Sequence, residues 1–270
     1  MTDLGAYVFV FVAGLITALA TGLGAIPFFL VDEISDRWNV VLWGLASGIM
    51  LGASLFGLVG EGLAYGTPVE LGIGVLAGVV LVVVAHEVIE GAEVSPKKYE
   101  EADMKKLLLI LGVLTVHSFP EGVAVGVSFA ELGFSTPGGL VIFGTAVPLL
   151  AVFMTVAISI HNVPEGVAVS IPLRNMNVAP SRMVWWAVFS SLPQPLGAVI
   201  AFYFVTIAQQ FLPIGFGFAA GAMVYLVLTE FIPEALELGE DLAGDGKREL
   251  VAGMATGAGA MIPLLSVTSI

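Results

Sequence analysis

Histidine and glutamate occur four residues apart in two nearly identical segments of the 270-residue chain. The segment HSFPEGVAVG begins at His117 and the segment HNVPEGVAVS begins at His161, with seven of ten positions identical. On a helix, a separation of four residues places both side chains on one face. Imidazole and carboxylate ligands suit zinc and neighbouring divalent transition metals. The spacing therefore predicts a metal site built from His117, Glu121, His161 and Glu165.

The segments that carry these residues lie in a very apolar chain. The residues AVILMFWYC make up 58% of it, and only 11% of residues are charged. Such a chain cannot bury its apolar surface around one aqueous core, and a net charge of −13 argues against nucleic-acid binding. Because the sequence has no cysteine, disulfides and thiolate sites are excluded. The composition predicts an all-α polytopic membrane protein surrounded by lipid.

Eight apolar stretches are long enough to cross a membrane, for which about 20 residues are needed. They predict one transmembrane domain over 1–270 and a cytoplasmic loop at 90–106, with helices at approximately 5–31, 39–62, 69–89, 105–130, 138–173, 183–208, 214–238 and 249–270. All nine Lys and Arg residues fall in the connections that follow odd-numbered helices. The positive-inside rule then places these connections in the cytoplasm and both termini outside a plasma membrane.

The two motifs fall in predicted helices 4 and 5, which are consecutive and therefore run in opposite directions. A motif repeated on antiparallel helices indicates a two-fold axis in the membrane plane, as in many transporters with a site near mid-membrane. Pro120 and Pro164 free the carbonyls of Val116 and Ile160, and irregular backbone at this depth is tolerated where it lines a cavity. Two nearby carboxylates favour a bound proton when no metal is present, so metal binding should release protons.

The paired H-[NS]-x-P-E-G motifs resemble the signature of the ZIP (Zrt/Irt-like) family of divalent metal transporters, and most closely its compact prokaryotic members. The resemblance covers essentially the whole chain and implies metal uptake into the cytoplasm between helices 4 and 5, with helices 2, 6 and 7 around them. Zinc is the expected cargo, with Cd²⁺, Fe²⁺, Co²⁺ and Mn²⁺ as alternatives, and no cofactor is expected. The expected mechanism is alternating access, in which the metal ion and protons exchange at one buried site.

The resemblance also implies an adjacent second metal site. Its candidates are Ser118 and Asn162, which follow the motif histidines, Gln194 in helix 6 and Met50 in helix 2. Gln194 stands where the family commonly has glutamate, and Ser118 where asparagine is usual. Because a glutamine is a neutral ligand, we expect one strong site with the second weak or absent. Met50 matches a helix 2 position that lines the transport pathway of the family. It is expected there either as a soft metal ligand or as an apolar side chain that fills the pathway.

Two further pairs of ionisable residues stand at the cytoplasmic ends of predicted helices. His86 and Glu90 end helix 3, and Glu230 and Glu234 end helix 7, each pair with helical i, i+4 spacing. They are candidates for an exit or entrance site, and a solvated charged helix end is the alternative. Helix 8 contributes a face of small residues, which is suited to packing within the protomer or in a homodimer.

Two other functions use the same residues. An intramembrane zinc-dependent hydrolase could hold its metal with two histidines and a glutamate and use another glutamate as the base. A structural metal site is the third hypothesis, and it would not exchange its ion. The inverted repeat and the doubled prolines favour transport, because catalysis does not explain them.

Overall fold

Helices make up most of the structure, a computed structural model that describes residues 3–31, 33–91, 101–132 and 140–263. The α-helices are, in chain order, α1 (Asp3–Thr21), α2 (Asp36–Gly52), α3 (Val59–Tyr65), α4 (Pro68–Gly91), α5 (Glu101–Ser128), α6 (Leu149–Asn175), α7 (Pro180–Ser190), α8 (Pro193–Ile207), α9 (Leu212–Leu226), α10 (Ile232–Leu238) and α11 (Lys247–Ala260). The remaining elements are 3₁₀ segments at Gly22–Phe29 and Gln209–Phe211, π-helical turns at Ala53–Leu58 and Val227–Phe231, and strands β1 (Leu140–Ile142) and β2 (Thr145–Val147).

Six helical stretches of the described chain are long and apolar enough to cross a membrane. They cover Leu4–Phe29, Asp36–Tyr65, Pro68–Val88, Leu149–Arg174, Pro180–Ile207 and Gln209–Leu238. Helices satisfy their own backbone polar groups, which is the requirement for spanning lipid. Large apolar side chains such as Leu4, Leu76 and Ile207 are exposed on these stretches, as a lipid-facing surface requires. The chain is therefore a polytopic, mainly helical membrane protein.

The segment before α6 forms a β-hairpin, which the all-α prediction does not contain. β1 and β2 pair antiparallel, and Phe143 and Gly144 at the turn have φ values of 49° and 76°. Two consecutive positive φ values are typical of the tight turns that join hairpin strands. Predicted helix 5 (138–173) consequently begins only at Leu149, after Pro148. Apolar composition suggested a helix from residue 138, but composition alone does not distinguish a strand from a helix.

The predicted cytoplasmic loop is shorter than expected, because helices occupy both of its ends. α4 continues to Gly91 and α5 begins at Glu101. Parts of the predicted loop 90–106 are therefore helical, and residues 92–100 lie outside the described residues. The mixed-charge composition of this segment suggested a connector, yet charged residues are also good helix formers at a membrane-helix end.

α11, which corresponds to predicted helix 8 (249–270), packs against α2 within the protomer. Gly253 and Gly257 approach α2 so closely that a Cβ on either would overlap a carbonyl oxygen of that helix. Small residues permit such contacts between helix backbones. The small face predicted for this helix is therefore used inside the protomer. α11 ends at Ala260, and residues 264–270 lie outside the described residues.

A hydrophobic core surrounds the middle of α5 and α6. Its fully buried side chains include Met50, Met154, Ile158, Phe216 and Met223. α5 packs against α6, α8 and α9, and α6 packs against α1 and α2. Pro120 and Pro164 lie inside α5 and α6, and neither helix ends there. These contacts bring the two motif segments together at the centre of the bundle.

Candidate metal centre

Three of the four motif side chains converge at the centre of the helical bundle. They are Glu121 on α5 and His161 and Glu165 on α6, and each residue is at most 1% exposed. His161 Nε2 lies 3.2 Å from Glu121 Oε1 and 3.4 Å from Glu165 Oε1. One ligand atom from each residue lies within 4.8 Å of the others. We call these three residues the central triad.

The geometry of the central triad fits a tetrahedral zinc ion. Zinc binds histidine nitrogen and carboxylate oxygen at roughly 2.1 Å, so two ligand atoms of a tetrahedral site are about 3.4 Å apart. The measured separations of 3.2 and 3.4 Å match this value. Two carboxylates also balance the charge of one divalent ion, whereas uncompensated charge is costly to bury. The triad can therefore bind a divalent metal ion with little rearrangement.

The glycine after each motif glutamate lets α5 and α6 pack closely against neighbouring helices on either side of the triad. Gly122 lies against α8, and a Cβ there would overlap the carbonyl oxygen of Gln194. Gly166 lies in the same way against the carbonyl of Thr21 at the end of α1. A larger residue would push α5 or α6 away from its neighbour and displace the preceding glutamate. The motif glycines thus position the ligands through helix packing.

A chain of buried amides connects Glu121 to α1. Gln194 Nε2 donates to Glu121 Oε2 at 2.5 Å, and Asn162 Nδ2 donates to Gln194 Oε1 at 3.0 Å. The same Asn162 nitrogen donates to the carbonyl oxygen of Thr17 at 2.7 Å. Asn162 and Gln194 are both 0% exposed. These hydrogen bonds hold Oε2 of Glu121 and leave its Oε1 facing His161.

A second group of ligand-type side chains contains the fourth motif residue. It consists of His86 on α4, His117 on α5 and Glu230 in the π-helical turn, with one ligand atom from each within 4.8 Å of the others. His117 Nε2 lies 3.1 Å from Glu230 Oε2, and His86 Nε2 contacts Glu230 Oε1. His117 is buried, whereas the side chains of His86 and Glu230 are 23% and 22% exposed. We call this set the second cluster.

The contacts within the second cluster lack hydrogen-bond geometry. His86 Nε2, both ring nitrogens of His117 and Glu230 Oε1 have no hydrogen-bond partner among the described residues. Buried polar atoms are normally hydrogen-bonded, so these four atoms are exceptions that require an explanation. Two imidazoles and a carboxylate are a zinc-type ligand set. A metal ion bound among them would take one nitrogen of each histidine and an oxygen of Glu230 as ligands, and the other nitrogen of His117 would still lack a partner.

The structure separates His117 from the other motif residues, whereas the sequence predicted one site of four ligands. Four residues place His117 about 6 Å along α5 from Glu121. At that level His117 meets His86 and Glu230 instead of α6. On α6, His161 is the residue that comes level with Glu121. The i, i+4 spacing shows which residues share a face of one helix. It does not show which neighbouring helix packs against each turn.

The four residues expected near a weaker second metal site are all buried. Asn162 Nδ2 donates to Gln194 Oε1, whereas Asn162 Oδ1 has no hydrogen-bond partner among the described residues. Ser118 is 1% exposed, and Met50, also 1% exposed, is part of the hydrophobic core. A metal ion bound by the two amides would use their oxygens, and the donor that holds Glu121 is the nitrogen Gln194 Nε2.

One residue from each of the two predicted helix-end pairs contacts the other in the structure. The spacing predicts that His86 pairs with Glu90 and Glu230 with Glu234, but His86 contacts Glu230 on another helix. Glu234 is exposed on α10, and the side chain of Glu90 lies outside the described side chains. The only sequence signal for the observed pairing is that both residues are ionisable and end apolar helices.

Two neighbours of the site have no motif in the sequence. The ring of Phe231 contacts the histidines of both groups, and the backbone carbonyl of Thr17 ends the amide chain. An apolar ring and a carbonyl are present throughout a membrane helix bundle, so neither stands out before the tertiary contacts are known.

A polytopic helical membrane protein with buried imidazole and carboxylate ligands belongs to the class of membrane metal-ion proteins. The ZIP zinc transporter family matches residues 95–265 of this chain. The chain belongs to the ZIP family, as the paired motifs predicted. The family and the relatives named in the next paragraph are zinc transporters and not enzymes, so the hydrolase alternative is not supported.

Similar proteins are found in bacteria and in a plant. The chain is 42% identical to a putative zinc transporter of Arabidopsis thaliana over 82% of its own length, but it spans only 33% of that protein. It is 32% identical to the zinc transporter GufA of Myxococcus xanthus, over 83% of this chain and 87% of that protein. It is 31% identical to the zinc transporter ZupT of Corynebacterium aurimucosum, over 88% and 91% of the two chains.

Proposed function

We propose that the chain transports divalent transition-metal ions, with zinc as the principal substrate, across the plasma membrane into the cytoplasm. The central triad is the observation that carries this proposal, because Glu121, His161 and Glu165 form a zinc-sized site that is closed to solvent. An ion bound there can leave only if the surrounding helices move. Alternating access provides that movement, and protons return to the carboxylates when the metal departs.

The proposal includes eight membrane crossings, with α5 and α11 added to the six stretches identified by length and composition. α5 has 28 residues and packs against α6, α8 and α9, which supports its position inside the bundle. The repeated motif on antiparallel α5 and α6 supports an inverted repeat with its axis in the membrane plane. The alternation of the cations supports cytoplasmic loops after odd-numbered helices and termini outside.

The second cluster is proposed as the exit site. In this topology, His86, His117 and Glu230 all lie nearer the cytoplasmic ends of their helices than the triad does. Their partial exposure supports contact with water on that side. A metal ion leaving the triad would therefore meet a second set of ligands before it reaches the cytoplasm.

The ligand chemistry supports zinc without excluding its neighbours. One imidazole and two carboxylates accept Zn²⁺, and the same set accepts Cd²⁺, Fe²⁺, Co²⁺ and Mn²⁺ with different affinities. The neutral amides of Asn162 and Gln194 add no charge near Glu121. We therefore propose one strong site at the triad and no comparably strong site at the amides.

Uptake into proteoliposomes tests the proposed function. We would compare Zn²⁺ flux through the wild type, His161→Ala, Glu165→Gln and the control Glu240→Gln, whose side chain is exposed. The wild type and control should give equal, saturable flux, and both triad variants should lose most of it. Competition by Cd²⁺, Fe²⁺ and Mn²⁺ would then rank the substrates. Tight, stoichiometric zinc binding by wild type without any flux would contradict a transporter and favour a structural site.

A further inference from the structure

The aromatic ring of Phe231 contacts both groups of ligands. Its centroid is 5.5 Å from that of the His161 ring, with the two planes only 13° apart. It is 6.1 Å from the His117 ring, at an interplanar angle of 49°. Phe231 is 1% exposed. The ring therefore covers one face of the triad histidine and also touches the histidine of the second cluster.

Phe231 and Glu230 belong to the same irregular turn of helix. Both lie in the π-helical turn Val227–Phe231 between α9 and α10, and Glu230 supplies the only carboxylate of the second cluster. Trp43 on α2 packs against the ring of Phe231, with the two centroids 4.8 Å apart and the planes at 69°. π-helical turns occur often at functional sites. A shift of this turn would move a metal ligand and the aromatic ring together.

We propose that Phe231 is a gate that a metal ion must displace to pass between the central triad and the second cluster. This inference rests on the proposed transport function and adds to it the residue that controls passage. The phenyl ring has no lone pair to offer, so an ion passing it would lose ligands without gaining any. Unpaired charge in an apolar place is strongly unfavourable. The ring must therefore move aside before the ion can cross.

The position of Glu230 couples the movement of the Phe231 ring to the movement of a ligand of the second cluster. When the π-helical turn moves Phe231 away from His161, Glu230 moves with it, because the two residues are adjacent. The carboxylate is then available to the ion at the moment when the ring no longer blocks it. Trp43 limits this movement to directions that keep contact with α2.

The test measures how fast bound zinc is released. Detergent-solubilised protein is loaded with Zn²⁺ and mixed with excess chelator in a stopped-flow instrument, and the equilibrium Kd for Zn²⁺ is measured separately. Phe231→Ala is compared with the wild type and with Phe202→Ala. Phe202 is a suitable control because it is buried to a similar extent and packs against Tyr7 instead of the ligand groups.

A gate raises the barrier in both directions and leaves the equilibrium unchanged. Phe231→Ala should therefore release zinc at least about tenfold faster than the wild type, with Kd changed by less than about threefold. Phe202→Ala should release zinc at the wild-type rate. Phe231→Leu should give an intermediate rate, and it replaces the alanine variant if that variant does not fold.

Two results would overturn the gate. An unchanged release rate in Phe231→Ala or Phe231→Leu would show that the ring does not control passage. Equal increases in release rate and Kd would show that Phe231 only orients His161 as a ligand. Failure of the wild type to bind zinc at all would instead refute the proposed function, so the two failures are distinguishable.

Discussion

The central triad and the second cluster use the same kinds of ligand in different surroundings. The triad has two carboxylates and one imidazole, is at most 1% exposed and has one carboxylate oxygen held by Gln194. The second cluster has one carboxylate and two imidazoles, and two of its side chains are more than a fifth exposed. A divalent ion bound in the triad would be neutralised, whereas one bound in the second cluster would keep one positive charge. The difference suits retention at the first position and release at the second.

The two groups also differ in how they are built. Glu121, His161 and Glu165 come from two helices that carry the same motif, and Gly122 and Gly166 pack these helices against α8 and α1. The second cluster needs three separate segments, one of which is a π-helical turn. All three residues of the first group therefore come from the repeated motif, whereas only His117 of the second cluster does.

The largest expected effect comes from removing a charge from the central triad. Glu121→Gln keeps the size of the side chain but removes one of two neutralising carboxylates. We expect its zinc affinity to fall at least about 100-fold, equivalent to about 2.7 kcal/mol. Titration against a competing zinc indicator in detergent measures this change. Wild-type affinity in this variant would mean that the strong site lies outside the triad. The triad would then not be the group that retains the ion.

The sequence predicted that Glu121, His161 and Glu165 belong to one site, and the three lie close together, because i, i+4 spacing and a repeated motif are local properties. It did not separate His117 from them, since that depends on which helix lies opposite each turn of α5. It also did not pair His86 with Glu230, which are far apart in the chain. The hairpin before α6 was missed because apolar β-branched residues suit strands and membrane helices alike.

The amide chain offers the next test of the difference between the groups. Gln194→Leu removes the hydrogen bond that holds Glu121 Oε2 while keeping a side chain of similar size. Partners that orient metal ligands contribute about 10- to 100-fold to affinity, and we expect a loss of about tenfold. Isothermal titration calorimetry measures it, with Gln209→Leu on the exposed 3₁₀ segment as control. An unchanged Kd would mean that Glu121 needs no such support.

A smaller effect, on rate instead of affinity, is expected at the second cluster. Glu230→Gln removes the only carboxylate there but leaves the triad intact. Zinc uptake by proteoliposomes should slow about fivefold, equivalent to about 1 kcal/mol of barrier, while the affinity of the triad stays the same. Glu237→Gln on the exposed surface of α10 should behave as wild type. A parallel loss of binding in Glu230→Gln would show that the two groups form one site.

The smallest expected effect lies at the opposite end of α5 from the second cluster. The Tyr65 hydroxyl donates to Glu131, and its ring stacks on Phe216 beside a cavity of about 50 Å³ that Glu61 also lines. This bond joins α3 to the turn after α5, on the proposed outer side, and we expect it to oppose opening of that end.

Tyr65→Phe removes the bond while retaining the stacked ring. A partly exposed hydrogen bond contributes about 0.5–1.5 kcal/mol at most, so initial uptake at limiting zinc should rise only about twofold. Affinity at the triad should stay at the wild-type value, and the exposed Tyr203→Phe serves as control. Slower uptake would instead mean that Tyr65 holds Glu131 in position to attract the ion. Because this contact lies far from Glu230, the double variant Tyr65→Phe with Glu230→Gln should combine the two rate effects independently.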